Sequence, residues 1–241
     1  MNPHDSHRRP TALITGGSSG LGLALARALD ERGWTVVVDG RDPARLLQAT
    51  IDTDIIGIAG NIADPGHRAD LIAEVRRHGP LDLLVNNAST LGPLPMRPAA
   101  ALYSVDLRGI WAVNVDAPHE LARQLMPALV IGNGILIAVT SDAAVHHYPN
   151  WGGYGASKAA LEHLTLTAAT EADITGYAID PGDMRTRMHA DAAPGEDLSQ
   201  LPDPAAVVPY LLAVLDQRPP SGRYRLADVP TVLDRAAGGA S

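Results

Sequence analysis

The sequence predicts an α/β domain built on a doubly wound parallel sheet of about seven strands with helices on both faces. Three observations predict it. Short apolar runs alternate with longer stretches of helical periodicity, the rhythm of βαβ units. The runs are continuously apolar instead of alternating with polar residues, so the sheet they form is covered on both sides. A chain of 241 residues, 46% hydrophobic and 19% charged, has the size and composition of one ordinary globular domain.

In chain order, a first strand at 11–15 (TALIT) runs directly into a glycine-rich turn, and a helix follows at 20–32. A strand at 34–38 (WTVVV) precedes a helix at 43–49, and a strand at 55–59 (IIGIA) precedes a helix at 66–78. The fourth strand, 81–85 (LDLLV), leads to one long helix at 99–128. The fifth, 134–140 (GILIAVT), leads to a helix at 153–171, and the sixth, 175–179 (TGYAI), opens into an irregular stretch at 182–203. That stretch is rich in Asp, Ala, Pro and Gly, and its length marks it as a lid or binding loop. A helix at 204–217 and a last strand at 223–227 (RYRLA) complete the domain, with 1–10 and 236–241 as frayed tails. Phe is absent and only nine residues are Trp or Tyr, so the core must be built from Leu, Val, Ile and Ala.

Charge excludes several functions. Nineteen basic against 27 acidic residues give a net charge of −8, and the basic residues gather into no stripe that could follow nucleic acid or an anionic membrane. No apolar run approaches the ~18 residues that span a bilayer, and the first ten residues contain no apolar segment, so a cytoplasmic location is expected. With no cysteine, disulfides, thiolate metal sites and a cysteine nucleophile are excluded. His146 and His147 beside Asp142 lack a defined ligand set, and no metal is expected.

The turn Thr15-Gly16-Gly17-Ser18-Ser19-Gly20-Leu21-Gly22 sits at the C-terminal edge of the first strand, where a doubly wound sheet binds ligands. Glycines at 16, 20 and 22 let backbone approach a pyrophosphate, and the helix N-terminus favours the anion. Alone, the turn also fits a purely structural role. Its GxxxGxG spacing resembles the short-chain dehydrogenase/reductase family, and further motifs follow in order: Asn86-Asn87-Ala88 after the fourth strand, Asn114 in the long helix, Ser141 at the end of the fifth strand, Tyr154-Gly155-Ala156-Ser157-Lys158, and Pro181-Gly182-Asp183-Met184-Arg185-Thr186. The resemblance covers residues 10–227 and implies a Rossmann-like fold. Ser89 stands where the family has a glycine, the segment from Lys158 to Pro181 is a few residues short, and the usual Asp-Gly-Gly ending is missing.

Carbonyl reduction needs a hydride donor, an acid for the developing alkoxide and a dipole on the carbonyl oxygen. Tyr154 fits the acid. A phenol with a pKa of ~10 needs roughly 4 kcal/mol of differential stabilisation to reach neutrality. Lys158, four residues on along the helix, is placed to supply it. It is also the only lysine among 19 basic residues, in a chain that otherwise uses Arg for positive charge. Tyr and Lys at this spacing equally suit a solvated face, and Ser141 a strand-end cap, but the ordered motifs favour the catalytic reading. The resemblance further implies that Lys158 bonds the nicotinamide ribose, that Ser141 holds the substrate oxygen, and that Asn114 anchors a water linking Lys158 to solvent, although an Asn there also suits a bond to a neighbouring loop.

For the cofactor the resemblance implies contacts at Gly16, Ser18, Ser19, Gly20, Leu21 and Gly22, at Asn87 and Ala88, at Tyr154 and Lys158, and at Pro181, Gly182, Met184 and Thr186. Asn61 and Ile62 fall where the family contacts adenine, though Asn61 also fits a simple turn cap. Gly40 holds the position of the ribose-binding acid of NAD-using members, and Arg41 follows with a guanidinium for a 2′-phosphate, so NADP(H) is expected over NAD(H). Asp39 competes if strand two ends early. Trp151, Tyr148 and Met96 are candidates for an apolar substrate wall or for core. The expected function is reduction of a ketone or aldehyde of a small to medium apolar molecule, in a homodimer or homotetramer formed by helices 99–128 and 153–171. The other class considered is a catalytically silent nucleotide sensor or scaffold with this fold, against which the intact Tyr154 and Lys158 argue.

Overall fold

The computed structural model describes residues 8–229; the expected tail residues 1–7 and 236–241 lie outside it. Seven strands are β1 (Thr11–Ile14), β2 (Thr35–Gly40), β3 (Ile56–Ala59), β4 (Leu83–Asn86), β5 (Ile135–Val139), β6 (Thr175–Asp180) and β7 (Gly222–Arg225). All pair in parallel, in the order β3-β2-β1-β4-β5-β6-β7. The order reverses between β1 and β4, which opens a crevice above their C-terminal ends.

Strand periodicity distributes the apolar residues between two layers. Ala12, Ile14, Val36 and Val38 pack on one face with Leu21, Leu25 and Leu29 of α1 (Gly20–Glu31) and Val207, Leu211 and Val214 of α8 (Pro204–Gln217). Leu13, Val37, Leu84 and Leu136 pack on the other with Leu71, Ile72 and Val75 of α3 (Pro65–Arg77) and Leu121, Leu125 and Leu129 of α5 (Ala117–Gly132). The core is aliphatic, as a chain without Phe requires.

Helix starts are written as Asp-Pro. Asp42, Asp64 and Asp203 cap α2 (Pro43–Thr50), α3 and α8 by accepting first-turn N–H groups, and the following proline occupies a position whose N–H would have no partner. Helix α1 differs: Ser19 makes no side-chain cap bond, which leaves the first-turn donors facing the crevice.

The structure corrects the expected elements in three places. Strand two does not stop at Val38 but runs to Gly40, so Asp39 and Gly40 pair with Ile58 and Ala59. The single helix at 99–128 is instead a short turn at Ala99–Ala101, α4 (Ser104–Trp111), a π-helical segment at Ala112–Asp116, and α5. Pro118 is the reason: it has no N–H to return to the Asn114 carbonyl four residues earlier, and the ladder shifts so that Ala117 N–H bonds the Ala112 carbonyl. The irregular stretch 182–203 contains α7 (Arg187–Ala192) and a short turn at Leu198–Gln200. The remaining long helix, α6 (Gly152–Glu171), carries the Tyr154 and Lys158 motif.

Candidate active site

A cleft of about 1530 Å³ runs across the C-terminal edge of the sheet. Arg41, Arg45, Asn61 and Ile62 line one end, the glycine turn its middle, and Ser141, Trp151, Tyr154 and Met188 the other.

In the middle, φ is +70° at Gly16 and +59° at Gly20, conformations that side chains resist. A Cβ at Gly22 would stand 2.5 Å from Asn87 Nδ2, and one at Gly16 2.9 Å from the Ala88 Cα. Asn87 ties this turn to β4: its Nδ2 donates to the Thr15 and Gly16 carbonyls at 2.7 and 3.2 Å, and Asn87 N–H and Ala88 N–H both donate to Thr15 Oγ1 at 3.0 Å. The bare backbone and the uncapped α1 terminus beside Ser18, Ser19 and Leu21 fit a pyrophosphate.

At the first end, Asp39 is buried and turned inward. Its Oδ1 accepts from Gly16 N–H at 2.6 Å and its Oδ2 lies 3.1 Å from His67 Nε2. Both carboxylate oxygens are therefore engaged, while Arg41 stands exposed on the cleft wall. Asn61 Oδ1 accepts from Ala63 N–H at 3.1 Å, the geometry of a turn cap.

At the other end, the structure brings Ser141, Tyr154 and Lys158 together. Tyr154 is 7% exposed, with Ser89 and Ser141 beside its hydroxyl. Burial pushes its phenol up to about 12, against the pull of those two hydroxyls. Lys158, 1% exposed, donates from Nζ to the Val139 carbonyl at 2.8 Å and lies 5.6 Å from the Tyr154 ring centre. Burial pulls it down to about 8, with Glu162 acting the other way. The lysine-driven lowering of the tyrosine expected from spacing is thus not the state of this structure, because burial acts on both groups and the ammonium rests on a backbone carbonyl. Ser141 Oγ donates to Asp142 Oδ1 at 3.0 Å and accepts from Ala143 N–H at 3.1 Å, while Tyr148 donates to Asp142 Oδ2 at 2.7 Å. Burial pushes the Asp142 carboxyl up, but the bonds from Tyr148 and Ser141 outweigh it and the net shift is downward.

Asn114 is fully buried in the π-helical segment, and its side chain is engaged with Ser89, Thr90 and Ser157. Its Nδ2 donates to the Thr90 carbonyl and to Ser157 Oγ, both at 2.9 Å, and its Oδ1 accepts from Thr90 N–H at 2.9 Å and Ser89 Oγ at 3.2 Å. The amide holds the loop after β4 against α6. Thr186 Oγ1 accepts from His189 N–H at 3.2 Å and so caps α7, close to Gly20. Pro181, Gly182 and Met184 also line the cleft, and Gly182 takes a φ of +73°. Met96 and Trp151 pack with Leu91, Met188 and Ala192 around Tyr154, and the Trp151 and Tyr154 rings meet edge-on at 5.5 Å.

Sequence reasoning missed the layer behind these groups. Thr140 Oγ1 donates to Glu162 Oε1 at 2.6 Å; Arg223 of β7 donates from Nε to Glu162 Oε1 at 3.1 Å and from one terminal nitrogen to Asp180 Oδ2 at 3.0 Å and the Ser141 carbonyl at 3.2 Å. The available signal was an arginine following the glycine that opens the last strand, which says nothing of the register that sets it beside Ala178. Among the described residues no His/Asp/Glu cluster could hold a metal ion, and no helix is long and apolar enough to cross a membrane.

A sequence model of the short chain dehydrogenases matches residues 10–197. Serine 3-dehydrogenase of Agrobacterium fabrum is 35% identical over 181 residues, 71% of each chain. Versicolorin reductase 1 of Aspergillus parasiticus is 31% identical over 196 residues, 76% of this chain and 74% of that one. Among solved structures, a short chain dehydrogenase from Pseudomonas syringae superposes with a TM-score of 0.83 at 31% identity, covering 93% of this chain and 98% of that one. A Shigella flexneri short chain dehydrogenase complexed with NADP gives 0.83 at 27% identity over 92% and 99%.

Proposed function

The chain belongs to the short-chain dehydrogenase family and is an NAD(P)-dependent short-chain oxidoreductase; from that premise we propose that it transfers a hydride between NADPH and the ketone or aldehyde of a small to medium apolar molecule. The carrying observation is the placing of Ser141 beside the Tyr154 hydroxyl among Leu91, Met96, Trp151, Met188 and Ala192, with Lys158 beneath.

The glycine turn and the α1 terminus would hold the pyrophosphate, Arg41 the 2′-phosphate, Asn61 and Ile62 the adenine, Thr186 and the Pro181–Gly182 turn the nicotinamide end. Bound there, the nicotinamide supplies or accepts the hydride. Ser141 orients the substrate oxygen, and the Tyr154 hydroxyl gives up its proton as charge develops on that oxygen. Lys158, with its ammonium 5.6 Å from the Tyr154 ring centre, would lower the cost of that transfer and hold the ribose. The apolar wall excludes water from the proton path. The inward turn of Asp39 supports NADPH, since the one acid at the end of β2 is occupied by Gly16 N–H and His67.

The substrate end favours uncharged molecules over hydroxy acids. The two arginines of the lid face acids of their own, Arg185 with Asp203 at 3.4 Å and Arg187 with Asp191 at 3.8 Å. Asp142 adds negative charge beside Ser141. In this the reading departs from the relative named serine 3-dehydrogenase. A panel of apolar ketones, aldehydes and β-keto acids, followed by NADPH absorbance, tests it. Turnover of apolar ketones with NADPH in preference to NADH, and loss of that preference in Arg41→Ala, are expected; wild-type preference for NADH or for keto acids contradicts it.

A further inference from the structure

Three consecutive residues at the end of β5 are gripped from behind by three different side chains. Lys158 takes the Val139 carbonyl, Glu162 one helical turn later takes the Thr140 hydroxyl, and Arg223 takes the Ser141 carbonyl. Arg223 also closes the circuit, bonding Glu162 and Asp180 with the same guanidinium. Asp180 in turn accepts Gly182 N–H at 3.1 Å through its other oxygen. The side chains are well removed from water: Asp180 is 4% exposed, Glu162 13% and Arg223 28%.

We infer that Arg223 is a positioning residue for catalysis, setting Ser141 and the Pro181–Gly182 turn in one frame through the Ser141 carbonyl and Asp180. The planar guanidinium is the group for this task, because it presents donors in fixed directions to three acceptors on three elements. In the proposed function Ser141 Oγ orients the substrate oxygen and the turn after β6 holds the nicotinamide end, so the distance between them must hold to a fraction of an ångström for hydride and proton transfer to coincide. Both rest on the ends of adjacent parallel strands that would otherwise move independently beyond their last ladder bonds. Arg223 is also the positive member of the cluster. Without it, the charges of Asp180, which with Asp142 raises the Tyr154 phenol, and of Glu162, beside Lys158, are uncompensated, and proton donation becomes harder.

This inference rests on the oxidoreductase reading of the site, so the test has one readout that needs no turnover. In Arg223→Met, amide exchange at Ala143 and Gly182 should accelerate at least about tenfold while β1–β3 amides keep their protection. On the best ketone of the panel, kcat should fall about tenfold to a hundredfold, with NADPH affinity changed less than about threefold. The alkaline limb of reduction should move to higher pH, because Tyr154 must be protonated to act and loses a nearby positive charge. Arg223→Met/Glu162→Gln should return that limb toward wild type without restoring kcat. Arg223→Lys, with charge but no fork, should keep the limb and lose kcat. If Arg223→Met does not fold, Glu162→Gln alone should show the kcat loss, since Arg223 then loses a charged anchor. Unchanged exchange at Ala143 and Gly182, or a lower melting temperature with wild-type kcat and pH profile, overturns the role. A wild type without carbonyl reductase activity overturns the functional reading instead, and the exchange result still decides for or against the frame.

Discussion

The proposed chemistry turns on Lys158. A buried ammonium between a phenol and a backbone carbonyl has no room for a guanidinium, which is broader and planar. Lys158→Arg should fold, bind NADPH, and lose at least about a hundredfold in kcat/KM, whereas near-normal turnover would reduce Lys158 to a source of charge. Burial also makes the residue visible in stability. With its folded pKa near 8 against 10.5 when exposed, the unfolded chain binds a proton that the native chain has shed, so stability should rise with pH from 8 to 10. Tyr154 and Tyr177, both pushed by burial to about 12 from 10, act in the opposite sense, and stability should fall above pH 10. Urea midpoints across this range should show the rise in wild type and its absence in Lys158→Met, with the fall kept in both. Spacing made Ser141, Tyr154 and Lys158 legible in the sequence. It could not show that the lysine reaches the Val139 carbonyl, nor that Asp39 turns inward, because both depend on which neighbours the fold supplies.

The elements carry the site through irregularities more than through regular structure. Pro118 shifts the α4–α5 ladder, and the resulting π-helical segment presents Asn114 to the Thr90 loop and Ser157. Asn114→Ala takes the amide from the N–H and carbonyl of half-buried Thr90, so it should cost about 1–3 kcal/mol in urea unfolding. A loss below about 0.5 kcal/mol would show that the amide is not the strut described. The stretch 183–203 is built differently. Helix α7 has six residues, none fully buried, and touches the site through Met188 and Ala192. Amides of 183–203 should exchange freely in the apo protein and slow on adding NADPH; equal protection in both states argues against closure over substrate. The βαβ order was legible from alternating patterns, and the Asp-Pro pairs mark three helix starts. The split of helix 99–128 was hidden because its apolar periodicity continues through the segment that Pro118 alters. Helix α7 was hidden because its six residues bury too little to leave a pattern.

For the whole molecule, an aliphatic core in two layers supports a sheet whose order reversal fixes the cleft, and that much follows from composition and from the continuous apolar strands. Strand register does not follow from the sequence, and with it goes the meeting of Arg223, Glu162 and Asp180 behind Ser141. The exposed apolar residues Val105, Leu107 and Trp111 of α4, with Tyr103 just before it and Leu164 of α6, are consistent with the homo-oligomer that the family resemblance leads one to expect. Sedimentation at micromolar concentration should give at least twice the mass of one chain, and a monomer there removes the proposal. The central claim is that this cleft moves a hydride between NADPH and an apolar carbonyl with Tyr154 as the acid. Its most direct test is kcat/KM on the best apolar ketone for wild type and Tyr154→Phe, with NADPH affinity measured alongside. Wild type should turn over with NADPH, and Tyr154→Phe should lose at least about a thousandfold while binding NADPH within about threefold of wild type. Turnover that survives in Tyr154→Phe within about tenfold, or no ketone reduced by the wild type, would contradict the account.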